Sequence, residues 1–161
     1  MENKFAIHLN PIWREKANFI INCELGGEPD KPNVIQMEQL WAKRLEENRF
    51  MVCCIPFFAY GIALGDEVLT APKGKMNFIV QNVVQPSGHS TFRVWLGSTN
   101  PQFVPTLLRL IRQTDASIEF YSEHLFGVDS SSKEITTHLV QILNKWQEDG
   151  NINYEAGNPS S

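Results

Sequence analysis

The chain has 161 residues, the length of one ordinary domain, and 42% of them are hydrophobic while 20% are charged, which excludes a disordered, fibrous or collagen-like protein. Ten Phe, four Trp and three Tyr provide enough apolar surface for a core that needs neither disulfides nor a structural metal. The formal net charge of −4 is uneven, because residues 1–112 hold 12 basic and 10 acidic side chains whereas residues 113–161 hold two lysines and eight acids.

The first half of the chain, residues 1–85, is predicted to be mostly β-structure. Residues 17–25 are rich in strand-forming side chains and end at two glycines. Residues 34–45 fit a helix or a strand, and a strand is favoured because a short Glu-Glu-Asn connection leads directly into a clear strand at residues 49–55. Short strands joined by an apolar, glycine-containing bend indicate a curved antiparallel sheet or a small barrel. Further strands are predicted at residues 67–70 and 77–84, with a loop at residues 28–32, the bend at residues 57–65, and no clear type for residues 1–16.

The second half, residues 86–155, is predicted to be a sheet covered by two helices. Pro101 precedes a helical pattern of about ten residues with one apolar stripe. Ser131 and Glu134 have the spacing of a capping box and start the second helix, which Gly150 ends. Strands are predicted at residues 91–96, 117–128 and 151–155, and the strand at 117–128 is either straight or bent near Glu123-His124.

The order of these elements predicts an α+β fold. A β-α-β-α-β order in the second half is typical of a ferredoxin-like arrangement, with both helices on one face of the sheet. We expect residues 1–161 to form a single domain, because neither half is large, with a frayed tail at residues 156–161.

The N-terminus and the cysteines predict a cytoplasmic protein. The first residues lack an apolar run of signal-peptide length, and no stretch is apolar enough to span a membrane. The three cysteines are Cys23, Cys53 and Cys54, and the adjacent pair would point to opposite faces of a strand and rarely forms a bridge. We therefore expect reduced thiols and no membrane partner.

No motif in the sequence indicates catalysis, a metal or a cofactor. Cys53 and His89, oriented by Asp66, form the most suggestive nucleophile set, but Cys53 lies in an apolar strand where a buried thiol is the ordinary occupant. The four histidines are scattered without zinc-ligand spacing. Gly61 and Gly65 are not followed by the Lys-Ser/Thr of a phosphate-binding loop. We therefore expect a protein that is not an enzyme.

The loop at residues 86–91 is a candidate ligand site. Ser87, His89 and Ser90 lie close together around a glycine and could bind an anion, although a histidine in such a loop more often donates to a backbone carbonyl and fixes the loop. Together with the glycine bend, this loop supports an alternative function as a small-ligand or nucleotide-binding regulatory domain.

The acidic C-terminal third is a candidate surface for a protein partner. Negative charge repels a nucleic-acid backbone and attracts a basic protein. On one strand Glu119, Tyr121 and Glu123 would share a face, and an aromatic among acids is typical of an interface. An ordinary solvated strand face is the alternative. Asp115 and Asp129 complete the predicted partner-binding set.

Three segments resemble a bacterial family catalogued as domain of unknown function 4265. They are Leu40-Trp41-Ala42, the stretch from Ile55-Pro56-Phe57-Phe58-Ala59 to Val68, and the stretch from Val84 to Val94 that contains Pro86-Ser87-Gly88-His89. The resemblance covers roughly residues 33–155 and departs from the family at Gln85, where an acid is expected.

Some members of that family resemble the immunity proteins found beside contact-dependent toxins. The resemblance therefore implies an immunity protein that binds a cognate toxin domain, such as a basic nuclease, and neutralises it by stoichiometric occlusion of the active site. This expectation agrees with the acidic C-terminal third and with the lack of catalytic motifs.

Overall fold

The chain is described by a computed structural model over residues 4–26, 34–97 and 99–158. The fold is α+β, as predicted, with seven strands first and both α-helices in the second half. The strands are β1 (Phe5–Ala6), β2 (Phe19–Glu24), β3 (Met37–Glu46), β4 (Arg49–Val52), β5 (Glu67–Lys73), β6 (Met76–Gln85), β7 (Ser90–Trp95), β8 (Ser117–Phe120), β9 (Leu125–Ser130) and β10 (Asn153–Ala156), and the helices are α1 (Val104–Gln113) and α2 (Lys133–Glu148).

Strands β2 to β6 form a five-stranded barrel, which confirms the prediction of a small barrel in the first half. Neighbouring strands pair antiparallel from β2 through β6, and a parallel contact between Asn22 and Ile79 closes the barrel between β2 and β6. Residues 34–45, for which the sequence favours a strand over a helix, contain most of strand β3. This strand pairs with β4 across the predicted Glu-Glu-Asn turn. The barrel is filled by apolar side chains that include Ile21, Leu40 and Phe50.

Strand β1, for which the sequence gives no signal, is an extra strand that pairs parallel with the start of β3. It is two residues long, too short for alternation to be recognised from sequence. The predicted loop at residues 28–32 lies outside the described residues.

The second half is a four-stranded antiparallel sheet in the order β10-β7-β9-β8, covered on one face by α1 and α2. One prediction here is wrong: residues 117–128 are not one strand but the hairpin of β8 and β9, in which Phe120 pairs with Phe126 across the bends between them. The connection order is therefore β-α-β-β-α-β. The turn between β8 and β9 is short and mostly polar. Because apolar residues precede and follow it, the sequence does not show where one strand ends and the next begins.

Helix α1 follows the prediction, since it begins after the Pro101–Phe103 3₁₀ turn and buries Leu107 and Ile111 against the sheet. Helix α2 also follows it, but its cap is one residue later than the sequence indicates. Ser132, not Ser131, is the N-cap, and its hydroxyl accepts from the backbone N–H of Ile135 at 3.2 Å.

We expect Ser132→Ala to lower the free energy of unfolding by about 1 kcal/mol, because one amide of the first helical turn loses its side-chain acceptor. Ser131→Ala is the matched control, since Ser131 is equally exposed and is not the cap. Urea denaturation of both variants measures the difference. Equal losses in the two variants would contradict the assignment of the cap.

The second face of the sheet packs against the barrel rather than facing solvent. Residues 53–66 connect β4 to β5 and extend from the barrel onto the second sheet, and we call them the crossing segment. Ile55 and Phe57 in this segment are fully buried. They lie over Gly127 of β9, where a side-chain Cβ would come within 2.7 Å of Ile55 Cγ2. Only glycine leaves room for this approach, so the barrel and the sheet are in close contact.

Residues 156–158, which the sequence predicts to be frayed, are hydrogen-bonded to strand β7. The N–H of Gly157 donates to the carbonyl of Thr91 at 2.7 Å, and the Asn158 side chain donates to the His89 carbonyl at 2.8 Å. No helix among the described residues has both the length and the apolar character needed to cross a membrane.

Candidate functional site

A buried charged cluster joins the N-terminal segment, the barrel and the second sheet. The imidazole of His8, just after β1, lies between the carboxylates of Glu38 on β3 and Glu119 on β8. Its Nε2 is 2.7 Å from Glu38 Oε2, and its Nδ1 hydrogen-bonds to Glu119 Oε2. The ring stacks on Phe57 with a centroid distance of 4.2 Å. All three charged residues are at most 3% exposed, so solvent does not reach them.

Backbone N–H groups satisfy the remaining oxygens of both carboxylates. A buried carboxylate needs several donors, because it has lost its hydration shell. The donors to Glu38 are Phe57 at 2.7 Å, Phe58 at 3.0 Å and Ala59 at 2.8 Å, and those to Glu119 are Ile12 and Ile55, both at 3.0 Å. The cluster thus fixes the crossing segment and the loop after β1 as well as the strands.

The pKa values of His8 and Glu38 are shifted in the directions that favour the charged form of each. Burial disfavours a charged His8, but the Cys54 sulfur beside it and the hydrogen bonds to Glu119 and Glu38 outweigh burial and raise the pKa of His8 well above its ordinary value. Burial likewise opposes a charged Glu38, yet His8 and the backbone donors lower its pKa. His8 is therefore an imidazolium at neutral pH and donates from both ring nitrogens.

The contribution of His8 to stability should depend on pH. Because its folded pKa lies above the unfolded value of 6.5, this contribution is complete below about pH 6.5 and is lost as the pH rises through the folded pKa. We expect the difference in unfolding free energy between wild type and His8→Ala to shrink by about 1.4 kcal/mol per pH unit above pH 6.5. Urea denaturation across this range measures it. A difference that stays constant would show that His8 is neutral.

Glu38 has the opposite dependence, since its folded pKa is lowered. The stability that it contributes is present above its unfolded pKa and is lost as the pH falls through the folded pKa. The cluster as a whole is therefore most stabilising in weakly acidic solution.

The sequence analysis did not identify this cluster. His8 is 30 residues from Glu38 and 111 residues from Glu119 in the sequence, and no motif joins them. The one available signal was Glu38 itself, a carboxylate at an inward-facing position of a strand whose neighbours Leu40 and Ala42 are apolar.

A second buried cation extends the network to the last strand. Arg93 of β7 is 1% exposed, donates from Nη2 to the Ala59 carbonyl, and lies 4.7 Å beneath the ring of Tyr60. Its Nη1 is 3.7 Å from Glu155 of β10, which accepts from the Tyr60 hydroxyl at 2.6 Å. A Cβ at Gly157 would lie 2.9 Å from the guanidinium carbon, so glycine is needed there.

The predicted ligand loop is held by bonds to the barrel and the sheet. The Ser87 hydroxyl donates to the Leu64 carbonyl at 2.7 Å, and the Ser87 N–H donates to Asp66 at 2.8 Å. The His89 Nδ1 lies 2.8 Å from an Asp129 oxygen, and burial raises the pKa of Asp129 to about 6 although His89 opposes this. Ser90 is the half-buried first residue of β7. These bonds connect the loop to the barrel and to β9, and His89 contacts a carboxylate and not the backbone carbonyl that the structural interpretation of the loop predicts.

The structure does not bring the five predicted partner-binding residues onto one face. Glu119 and Asp129 are 3% and 4% exposed because they point toward the barrel, so neither can contact a partner in this conformation. Tyr121 is half-buried, with its ring 5.2 Å from Phe57 and 5.0 Å from Phe58. Asp115 is exposed at the opposite end of β8 from Glu123, in a turn with a φ of 72°.

Glu123 lies on the rim of an open cleft of about 370 Å³ beside the start of α1. The end of α2 is adjacent, because the Thr99 hydroxyl in the cleft wall bonds to the carbonyl of Asn151, and Glu148 and Asp149 just before it are exposed acids. The cleft is thus a mainly apolar depression with the exposed carboxylate of Glu123 on its rim, and Asp149 at the end of α2 lies 3.7 Å from Lys145. Its lining includes Leu96, Thr99, Pro101, Val104, Glu123 and His124.

The three cysteines are free and buried, which confirms the prediction that Cys53 and Cys54 do not form a bridge. Burial raises the pKa of Cys53 to about 11, so its thiol is protonated and unreactive at neutral pH. Over residues 4–26, 34–97 and 99–158, no three His, Cys, Asp or Glu side chains are grouped so that they could hold a metal ion.

Comparisons with known proteins agree with the resemblance seen in the sequence. Residues 38–154 match the domain of unknown function family DUF4265. The chain belongs to this family. Glu38, Arg93 and Glu119 lie within the DUF4265 match, whereas His8 lies before it, so the N-terminal segment completes a cluster whose carboxylates belong to the matched region.

The fold also occurs in a solved structure. A hypothetical protein from Neisseria gonorrhoeae has the same fold with a TM-score of 0.72 and 22% sequence identity, over 88% of this chain and 95% of that one. Among curated proteins, none matches the chain significantly. The DUF4265 description names no activity.

Proposed function

We propose that this DUF4265 protein is an immunity protein that binds a cognate bacterial toxin domain in the cytoplasm and neutralises it by stoichiometric occlusion of its active site. The observation that carries the proposal is the apolar cleft with the exposed Glu123 on its rim, close to Asn151 in the segment that follows α2. We infer a basic partner, such as a nuclease domain, and neither nucleic acid nor a membrane.

The cleft has the features of a protein interface. Interfaces combine an apolar centre, which accepts an anchoring side chain, with a polar rim. A lysine or arginine of the partner could place its aliphatic part against Val104 and Pro101 while its charge meets Glu123. Glu148 and Asp149 would add long-range attraction that accelerates association.

The buried groups support a binding role over a catalytic one. His8, Glu38 and Glu119 have the chemistry of an acid–base site, but they bond to one another and to backbone amides and are closed to solvent. A substrate could react only if at least one of these three side chains were accessible from solvent. The proposal therefore assigns no catalytic residue, metal or cofactor.

We further propose that the second half of the chain has a ferredoxin-like arrangement, because its elements follow the order β-α-β-β-α-β.

The alternative function, a small-ligand or nucleotide-binding regulatory domain, has less support. It requires the loop at residues 86–91 to offer free polar groups, yet Ser87 and His89 already bond to Leu64, Asp66 and Asp129.

Co-expression with the toxin tests the proposal. The product of the adjacent gene is the first candidate toxin, and growth of cells that express it should be restored by this protein. The double variant Glu123→Lys with Asp149→Lys should lose binding and protection, whereas the matched control Glu46→Lys with Glu47→Lys should retain both, because those acids are exposed on the barrel. Calorimetric titration gives the stoichiometry, which should be one to one.

Two results would contradict the proposal. One is a neighbouring product that is not toxic and forms no complex with the protein. The other is full protection by the Glu123→Lys and Asp149→Lys variant, which would remove the cleft from the interface.

A further inference from the structure

We propose that the barrel carries a second interaction surface, which binds an acidic segment of a protein partner. It consists of Trp13, Arg14 and Lys16 in the loop after β1, with Trp41 and Lys43 on the outer face of β3, and we call it the basic–aromatic surface. It is distinct from the cleft and does not depend on the immunity proposal, which concerns a basic partner.

Backbone bonds hold the two parts of this surface together. The N–H of Trp13 donates to the Cys53 carbonyl at 3.0 Å, and the N–H of Cys53 donates to the Trp41 carbonyl at 2.8 Å. Cys53 therefore connects the loop to the middle of β3. The N–H of Asn18 donates to the Ala42 carbonyl at 2.9 Å, which fixes the loop at its other end.

Two of the cations are held over tryptophan rings. The Lys16 ammonium lies 4.2 Å from the centre of the Trp13 ring, and the Arg14 guanidinium lies 5.7 Å from that of Trp41. Such contacts orient a cation while leaving its outer side in water. Lys43 follows Trp41 by two residues on β3, so the two side chains lie on the same face of the strand.

The charge of this surface is unbalanced. Arg14, Lys16 and Lys43 are all exposed, and within the described part of the chain none of them forms an ion pair. Glu15 is the exposed acid within the loop, so the positive charge exceeds the negative. Elsewhere on the barrel, Arg49 and Lys73 are paired with Glu67 and Glu24. Three cations outside ion pairs, two of them oriented by tryptophan rings, are complementary to carboxylates.

An acidic protein segment fits this surface better than a single-stranded nucleic acid does. Non-specific binding of a single strand relies on aromatic faces that are free to stack on bases. Here Lys16 and Arg14 already cover faces of Trp13 and Trp41. In addition, the net charge of −4 opposes a long polyanion, whereas a short acidic segment interacts only with the local cations.

Fluorescence anisotropy with a labelled glutamate-rich peptide at low ionic strength tests the proposal, because screening is then weak. We expect saturable binding to the full-length protein. Lys16→Glu with Lys43→Glu should weaken it by about tenfold or more. The control, Lys75→Glu with Arg109→Glu, makes the same change in net charge at exposed sites elsewhere and should change the affinity by less than about twofold.

Three results would overturn the proposal. The first is no saturable binding of the peptide, and the second is equal weakening in both double variants, which would indicate a non-specific effect of net charge. The third is tighter binding of an oligothymidylate of equal charge that the Lys16→Glu and Lys43→Glu variant abolishes, which would assign the surface to nucleic acid. None of these results bears on protection against a toxin, so the two proposals fail separately.

Discussion

His8→Ala should lower the free energy of unfolding by about 3–5 kcal/mol at pH 6, because removal of one member of a buried ion pair leaves an uncompensated charge. Glu38 and Glu119 would then face each other across an empty site, with backbone amides as their remaining partners. The stacking of the imidazole on Phe57 would also be lost. Urea denaturation followed by circular dichroism measures the change.

His138→Ala is the matched control for this prediction. His138 is exposed on α2, so its removal should change the unfolding free energy by less than about 0.5 kcal/mol. If His8→Ala does not fold, His8→Gln serves in its place, because its side-chain amide can still donate to one carboxylate. Its loss of unfolding free energy should be measurable and smaller than that expected for His8→Ala. A loss in His8→Ala as small as that in the control would show that the cluster contributes nothing.

Glu119→Lys should prevent stable folding, although the sequence alone places Glu119 on an exposed acidic face. The new ammonium would be buried beside the His8 imidazolium, and the N–H groups of Ile12 and Ile55 would lose their acceptor. Each of these defects costs several kcal/mol, which is comparable to the whole stability of a domain of this size. The expected result is loss of the cooperative unfolding transition and of soluble protein.

Two companion variants make this prediction specific. Glu119→Gln keeps an oxygen that can accept from Ile12 or Ile55 and should fold with reduced stability. Glu123→Lys, four residues later and exposed, should stay within about 0.5 kcal/mol of the wild type. If Glu119→Lys were as stable as Glu123→Lys, the burial of Glu119 between barrel and sheet would be wrong.

Burial also changes the surface charge that the sequence predicts. Of the eight acids in residues 113–161, Glu119 and Asp129 are buried and Glu155 is half-buried beside Arg93. The remaining acids are opposed by Lys133 and Lys145. The negative surface is therefore weaker than the composition indicates, since Asp149 also lies 3.7 Å from Lys145, and Glu123 is the exposed acid at the cleft.

The helices and most strands could be predicted because their signals are local. The apolar stripes of α1 and α2 have the helical period, and the strands of the barrel alternate or are bounded by glycine and proline. Errors arose where a signal was short. The β8–β9 hairpin turns within four residues, and its flanking apolar residues gave the appearance of one strand.

The α+β class, the mostly β first half, the helix-covered second half and the family resemblance follow from the sequence alone, because periodicity and motifs depend on residues near each other in the chain. Which polar residues are buried depends on three-dimensional packing. Alternation assigns Glu119 to one face of a strand, but whether that face meets water or the barrel depends on residues such as His8 and Ile55 that are distant in sequence. An ion pair can join residues that are far apart in the sequence. Glu119 is therefore predicted to be a surface residue as long as its partner His8 is not identified.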